Sequence, residues 1–297
     1  MTMSADISAF FDQATNTVTY LVADLGAGVA AVIDPVLDYD AAAGRISTQS
    51  VDRVLAAAAE KGVAIALVLE THAHADHLSA AHLLKKRCGA RIGIGGRIRE
   101  VQDEFALRFG ADDLKPDGGD FDLLLSDGER IALGGLEIEV MAVPGHTPAD
   151  VAYRIDDALF VGDSLFMPDY GTARTDFPGG SAAALYRSIQ RILALPPETR
   201  LFMCHDYKAP GRDAFAWEST VAEQLQSNVH VGGAKSETEF VSMREARDAT
   251  LPTPKLMLPA IQVNIRGGRL PPARPGADPC LSVPLTIADS TVKAALF

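Results

Sequence analysis

Cysteine is scarce in this chain: three residues, Cys88, Cys204 and Cys280, among 297. An odd and small number implies no disulfide framework. Basic residues are outnumbered, 27 against 39 acidic, leaving a net charge of −12. Such a surface repels phosphate backbones, so nucleic acid is excluded as an expected partner. The N-terminal residues lack the basic segment and apolar run of a secretory signal. No apolar stretch is long enough to span a bilayer, so no membrane role is expected and the cytoplasm is the expected location. Internal repeats and low-complexity tracts are also missing. What remains is the composition of a globular protein, 47% hydrophobic and 22% charged, long enough to bury a large core.

Against that background, Thr71-His72-Ala73-His74-Ala75-Asp76-His77 stands out. Three of the chain's seven histidines fall within six positions, beside a carboxylate. The apolar run Val63–Leu69 leads into them, which places the cluster at the end of a buried strand. Imidazoles and a carboxylate converging there are the ligand types of a transition-metal site, whereas a single loop histidine would read as ordinary solvated surface.

Three later segments repeat the pattern. Ile138–Val143 ends in Pro144-Gly145-His146-Thr147. Ala158–Val161 ends in Gly162-Asp163. Leu201–Cys204 ends in His205-Asp206-Tyr207. Each reads as a short strand whose last step presents a ligand, so that one rigid sheet edge can hold the whole set. Gly145 and Gly162 sit where a sharp turn or close backbone approach needs a small residue.

Strands are also expected over Thr17–Val22 and Val29–Pro35. Helices are expected over Val51–Glu60, stopped by Gly62, and over Ser79–Cys88, stopped by Gly89. Leu123–Leu125, Glu129–Leu133 and Leu136–Val143 read as a meander with turns at Asp127-Gly128 and Gly134-Gly135. Ser181 opens an amphipathic helix to Leu195, and Ser236-Glu237-Thr238-Glu239 is a capping box opening another toward Arg247. Strands alternating with helices give a mixed α/β class. From Leu251 onward Pro and Gly are frequent, as in an ordered strap or a loose tail.

His-x-His-x-Asp-His, then Gly-His-Thr-Pro, Gly-Asp and a late His, in that order, resemble the metallo-β-lactamase superfamily over about residues 15–230. The resemblance implies a four-layer αββα sandwich. The expected division is a catalytic domain over 1–250 and a C-terminal extension over 251–297, packed on it or at a subunit interface, where it would allow a homodimer. Arg174-Thr175-Asp176-Phe177 resembles the signature of the persulfide dioxygenases, with Ala173 where that signature often has Gly. His205-Asp206-Tyr207 and the tail Leu258–Arg266 are similar to the same family.

This resemblance implies a mononuclear Fe(II) centre on His72, His146 and Asp163. Glutathione persulfide and O₂ would be the substrates, and sulfite and glutathione the products. His205 and Tyr207 would complete the catalytic group. His74, Asp76, His77 and His205 would then orient ligands, substrate and water, or hold a second metal. The alternative is a glyoxalase II-like thioester hydrolase with two zinc ions, and the ligand set alone leaves both open. A non-catalytic sensor would more readily have lost part of that set.

Arg174, Tyr207, Lys208, Arg212 and Arg244 are candidate substrate contacts. An ion pair with Asp176 is the competing role for Arg174, and a solvated surface role competes for Lys208, Arg212 and Arg244. Cys204 reads as a buried core residue with no activating base. His82, on the helix after the metal loop, and His230, at the end of another, read as structural.

Overall fold

The alternating apolar runs fold into fifteen strands and seven helices among the residues that the computed structural model describes, 4–287. In chain order, β1 (Asp6–Asp12), β2 (Thr17–Asp24) and β3 (Val29–Ile33) form an antiparallel meander. A small sheet follows, of β4 (Val36–Asp40), β5 (Arg45–Ser47) and, later, β7 (Leu78–Ser79). Helix α1 (Gln49–Glu60) leads to β6 (Ala64–Leu69), α2 (Ala81–Cys88) to β8 (Arg91–Gly95), and α3 (Ile98–Phe109) to β9 (Leu123–Leu125). These three strands add in parallel, giving the order β1-β2-β3-β6-β8-β9. Parallel neighbours need such helical crossovers, which is why helices cover the outer face of this sheet.

The second sheet is β10 (Arg130–Leu133), β11 (Leu136–Ala142), β12 (Val151–Ile155), β13 (Ala158–Phe160), β14 (Arg200–Phe202) and β15 (Glu218–Thr220), in sequential order. Helix α4 (Ala182–Leu193) connects β13 to β14, which pair in parallel. Helices α5 (Val221–Ser227) and α6 (Glu237–Asp248) join α4 on the outer face. Helix α7 (Met257–Asn264) returns to the first half and packs on α3 and β7.

Period-two alternation explains the layers. Val18, Tyr20 and Val22 point between the sheets, against Ile138, Tyr153 and Phe160. Leu21 and Ala23, one residue out of step, face the helices of the first half. On the other side Leu159 and Leu201 meet Leu185, Ile189 and Phe240. The result is the expected αββα sandwich. No described helix is long and apolar enough to cross a membrane.

Several local readings change. The expected three-strand meander is a hairpin, β10–β11, because β9 belongs to the other sheet, paired with β8. Three consecutive leucines carry no alternation that would assign them to a sheet. Ser79 belongs to β7, so the second helix starts at Ala81. His230 lies beyond α5 rather than at its end. Strands β1, β4, β5, β8, β12 and β15 and helices α3, α5 and α7 are additional elements. Past residue 250, α7 buries Ala260, Ile261 and Val263 in the first-half core; residues 288–297 of the expected extension lie outside the described residues.

Candidate metal centre

The four ligand-bearing segments leave their strands at one edge of the sandwich, where the two sheets touch. Thr17, at the start of β2, bridges to His205 after β14, and Val18 N donates to Cys204 O at 2.7 Å. The two glycines fit their expected roles. Gly162 has φ +52°, and a Cβ there would lie 2.8 Å from Thr71 Oγ1; a Cβ on Gly145 would lie 2.3 Å from the Leu185 backbone of α4.

His72, His146 and Asp163 bring one ligand atom each within 4.8 Å of one another. Asp163 Oδ2 lies 4.0 Å from His72 Nε2 and 3.6 Å from His146 Nε2. Its Oδ1 faces the other way, 3.4 Å from His205 Nε2, which is 3.5 Å from Asp76 Oδ2. His77 completes this second half. The Nε2 atoms of His72, His77 and His205, and Asp163 Oδ1, are buried with no hydrogen-bond partner. Orphaned buried acceptors are costly unless something satisfies them. A bound cation would satisfy them, and the nitrogen and oxygen donors suit a first-row transition metal.

The opposite ring nitrogens are anchored. His146 Nδ1 donates to the Arg174 carbonyl at 2.8 Å, and His205 Nδ1 to the Asn16 carbonyl at 3.2 Å. His72 Nδ1 lies 3.0 Å from Thr71 Oγ1, which donates to Asp34 Oδ2 at 2.8 Å. Such anchors leave each Nε2 free as ligand. Burial, reinforced by His74 and His146, pushes the His72 pKa well below the ordinary histidine value, so it is a neutral donor.

His74 is different. Its Nε2 lies 3.0 Å from Asp34 Oδ1 and 3.3 Å from Glu70 Oε2, both buried. Burial disfavours its charge, but the Asp34 carboxylate outweighs that and holds its pKa well above the usual value. The clamp holds Nε2 only: Nδ1 is buried without a hydrogen-bond partner, and the ring groups with Asp76 and His77 and with Cys204 and His205 rather than with His72, His146 and Asp163.

The segment around Arg174 acts as a strap. Arg174 is bidentate to Asp176 at 2.5 and 2.6 Å and reaches Pro252 O at 2.8 Å. Thr175 donates twice to Asp248, whose other oxygen holds Arg244. Arg244 is thus buried and ion-paired, though it still touches the cavity beside the centre. Arg212 is engaged by Asp169 and Asp206, and Lys208 sits over the Phe215 ring at 4.2 Å. Neither lines the cavity. Tyr207 does, stacked on His205 with ring centroids 5.6 Å apart.

Cys204 is buried, and burial raises its thiol pKa, as fits a core residue. His230 accepts from Thr172 N at 3.0 Å and, mainly through burial, has its pKa pushed down to about 4, so it stays neutral and structural.

Sequence reasoning missed Asp34, Glu70, Thr17 and Asn264. Asn264, in α7, donates to His74 O and His77 O and accepts from Ser79 N, each at 2.7–2.8 Å. Every polar hydrogen of its amide braces the metal loop. Asp34 ends an apolar strand as the ligands do, which was the available signal; Asn264 had only its place in the tail Leu258–Arg266.

Comparison with known proteins places this geometry. The family model of the metallo-β-lactamase superfamily matches residues 13–205. A Burkholderia pseudomallei protein described as a probable metallo-hydrolase is 52% identical, over 94% of this chain and 98% of its own length. Glyoxylase B2 of Dictyostelium discoideum is 42% identical over 96% and 98%. The human mitochondrial persulfide dioxygenase ETHE1 is 29% identical over 87% of each chain. The crystal structure of ETHE1 from Myxococcus xanthus superposes with a TM-score of 0.71 at 32% identity, covering 89% of this chain and all of that one.

Proposed function

Since the chain belongs to the metallo-β-lactamase superfamily, we propose that its centre is a mononuclear non-haem iron site that oxidises glutathione persulfide with O₂. One observation carries this reading. His72, His146 and Asp163 form a compact set of two histidines and one carboxylate, while the Nε2 of His74 is given to Asp34 and Glu70. Two nitrogens and one carboxylate on one side of Fe(II), with open positions opposite, suit oxygen chemistry. The likeness to the Myxococcus xanthus structure supports it.

A bound ferrous ion would supply the redox partner and the open positions where sulfur and O₂ meet. The chain's own residues do the rest. Thr71 and the Arg174 carbonyl fix the ligand rings. Tyr207 lines the cavity by which sulfur would approach, and His205 is stacked behind it. The overall change balances as persulfide, O₂ and water giving thiol, sulfite and two protons: the outer sulfur loses four electrons and O₂ gains them.

A second reading, a dinuclear glyoxalase II-like thioester hydrolase, draws on a different observation. Asp163 offers one oxygen to each half, and His77 and His205 keep orphaned nitrogens. The relatives named as hydrolase and glyoxylase point the same way.

Metal analysis of the chain and of His205→Ala separates the two. The iron reading expects about one iron per chain in both, with persulfide-dependent O₂ uptake in the parent. Asp163→Ala should lose metal and activity together. Two zinc ions per chain, falling to about one in His205→Ala, with thioester hydrolysis and no O₂ uptake, would establish the hydrolase instead.

A further inference from the structure

Between His72 and His77 the main chain lies in no helix or strand and makes no hydrogen bond to other main chain among the described residues. A buried stretch of that kind needs side chains to hold it, because its carbonyls and N–H groups would otherwise go unmet. Two of its carbonyls, those of His74 and His77, accept from one side chain, the Asn264 amide, at 2.8 Å each. The oxygen of the same amide accepts from Ser79 N at 2.7 Å, where the loop has entered β7. Asn264 thus closes three hydrogen bonds on a loop that carries His72 at its start and Asp76 and His77 at its end.

The brace is itself fixed. Asn264 is buried and is the last residue of α7. Beyond it, Gln102 of α3 donates to Ile265 O at 2.8 Å, and Arg266 is bidentate to Asp113 at 2.7 and 2.9 Å. Before it, Gln262 exchanges two hydrogen bonds with the Ser282 main chain, at 2.8 and 2.9 Å. Leu251 and Leu256, ahead of α7, line the cavity of about 680 Å³ whose floor carries Asp76, His146 and Asp163. The cavity wall and the back of the metal loop therefore belong to one continuous segment.

We propose that Asn264 is a positioning residue of the metal centre: through this one amide α7 sets the main chain of the metal loop, and the centre retains its metal by that clasp. Asn264 makes no hydrogen bond to a ligand side chain; it acts through the carbonyls of the residues that bear them. The site needs two donors and one acceptor on one short side chain, which asparagine has and aspartate, with the same shape, lacks. The proposal rests on a metal occupying the centre. It holds for one ion or two, since His72 serves one half and Asp76 and His77 the other.

The test is metal retention rather than turnover. Excess chelator is added to the protein as purified with its metal, and release is followed at a temperature where each variant is folded. Release should be about tenfold faster or more in Asn264→Ala and in Asn264→Asp, as when groups behind metal ligands are lost. The aspartate variant keeps the bond from Ser79 N, so it reports on the two carbonyl bonds and remains informative if the alanine variant does not fold. Gln102→Ala loosens α7 from α3 and leaves the Asn264 amide in place. Its melting temperature should fall while its metal leaves at the parent's rate. Release at the parent's rate in both Asn264 variants, or equal acceleration in Gln102→Ala, would overturn the proposal. Acceleration in the alanine variant alone would transfer the role to the Ser79 bond and overturn the carbonyl clasp. Failure of both Asn264 variants to fold would make the residue a determinant of folding and overturn its positioning role. The identity and number of ions are read on the parent beforehand, so zinc, or two ions per chain, would remove the iron reading and leave this comparison intact.

Discussion

The Nδ1 atoms of His72 and His146 each meet one anchor, whereas those of His77 and His205 each lie between two: a hydroxyl they have in common, and Asp76 Oδ2 for His77 or the Asn16 carbonyl for His205. Thr71 Oγ1 serves His72, and the Arg174 carbonyl serves His146. In the other half, Thr17 Oγ1 lies 3.4 Å from His77 Nδ1, 3.3 Å from His205 Nδ1 and 3.0 Å from Asp76 Oδ2, to which it donates. A hydroxyl has one proton and two lone pairs. Thr15 Oγ1, whose proton goes to Asp12 Oδ2 at 2.7 Å, crowds it at 2.9 Å, so it has more neighbours than it can bond. Rings with a single anchor are held in one orientation, as a tight ligand must be. Rings whose Nδ1 lies between two partners can shift from one to the other, which suits handling protons and substrate. The same fold edge thus builds a rigid half and an adaptable half.

The largest expected contrast is in acid–base behaviour. Asp150, behind His146, accepts from Thr147 N at 2.7 Å and from the Thr147 hydroxyl, and burial raises its pKa from 3.8 to about 7. In the metal-free protein the folded state therefore holds a proton that the unfolded chain releases near pH 4. This contribution is fully present below that pH and is lost as pH rises toward 7. A carboxyl moved from 3.8 to about 7 contributes at most about 4 kcal/mol. Asp76 runs the other way. Burial opposes its charge, but His205 and His77 hold its pKa well below 3.8, so its contribution is present above pH 4 and is lost in acid. Denaturant unfolding of metal-free parent and Asp150→Asn across pH 4–8 checks the sign: the parent's advantage should shrink with rising pH. A flat difference would show that Asp150 ionises freely.

Next in size is the anchor itself. Thr71→Val keeps the shape that packs on Gly162 but removes the hydroxyl between His72 and Asp34. Metal affinity, measured by chelator competition, should fall about 10–100-fold. An equal fall in Thr17→Val would erase the distinction between the halves.

How far this arrangement was legible in the sequence depends on range. His72, Asp76, His77, His146, Asp163 and His205 each follow an apolar strand, a local pattern that also implies a shared edge. The α4 cap at Ser181 and the α6 capping box are equally local. The clamp on His74 is not, because Asp34 and Glu70 acquire meaning only when β3 and β6 lie side by side. Asn264 reaches a loop nearly 190 positions away. Cations were the least legible: Arg212 and Arg247 look alike in sequence, and only tertiary neighbours show that one is neutralised and the other faces the cavity.

Thr17→Val tests the adaptable half directly. Its metal-to-chain ratio should match the parent's, while turnover falls about tenfold, the lower end for lost supporting groups. Loss of metal with turnover per metal unchanged would mean that Thr17 supports the rigid half instead.

The smallest effect expected is from Tyr207→Phe. The ring stacks on His205, packs edge-on against Phe166 at 5.9 Å and lies 5.2 Å from Tyr170. Phenylalanine preserves all three contacts, so the adaptable half should keep its shape and the metal its occupancy. Only the hydroxyl is lost. Burial, then Asp76 and Asp163, raise its pKa well above the usual tyrosine value, so it stays protonated and acts as a donor. The cavity floor carries carboxylates and the incoming ligand carries sulfur. A donor there holds the ligand and moves no proton. One such hydrogen bond contributes about 0.5–1.5 kcal/mol, so KM for the thiol substrate should rise about two- to tenfold with kcat nearly unchanged. A kcat lower by a hundredfold or more, with KM unchanged, would place Tyr207 in the chemical step and shift the division of labour between the two halves.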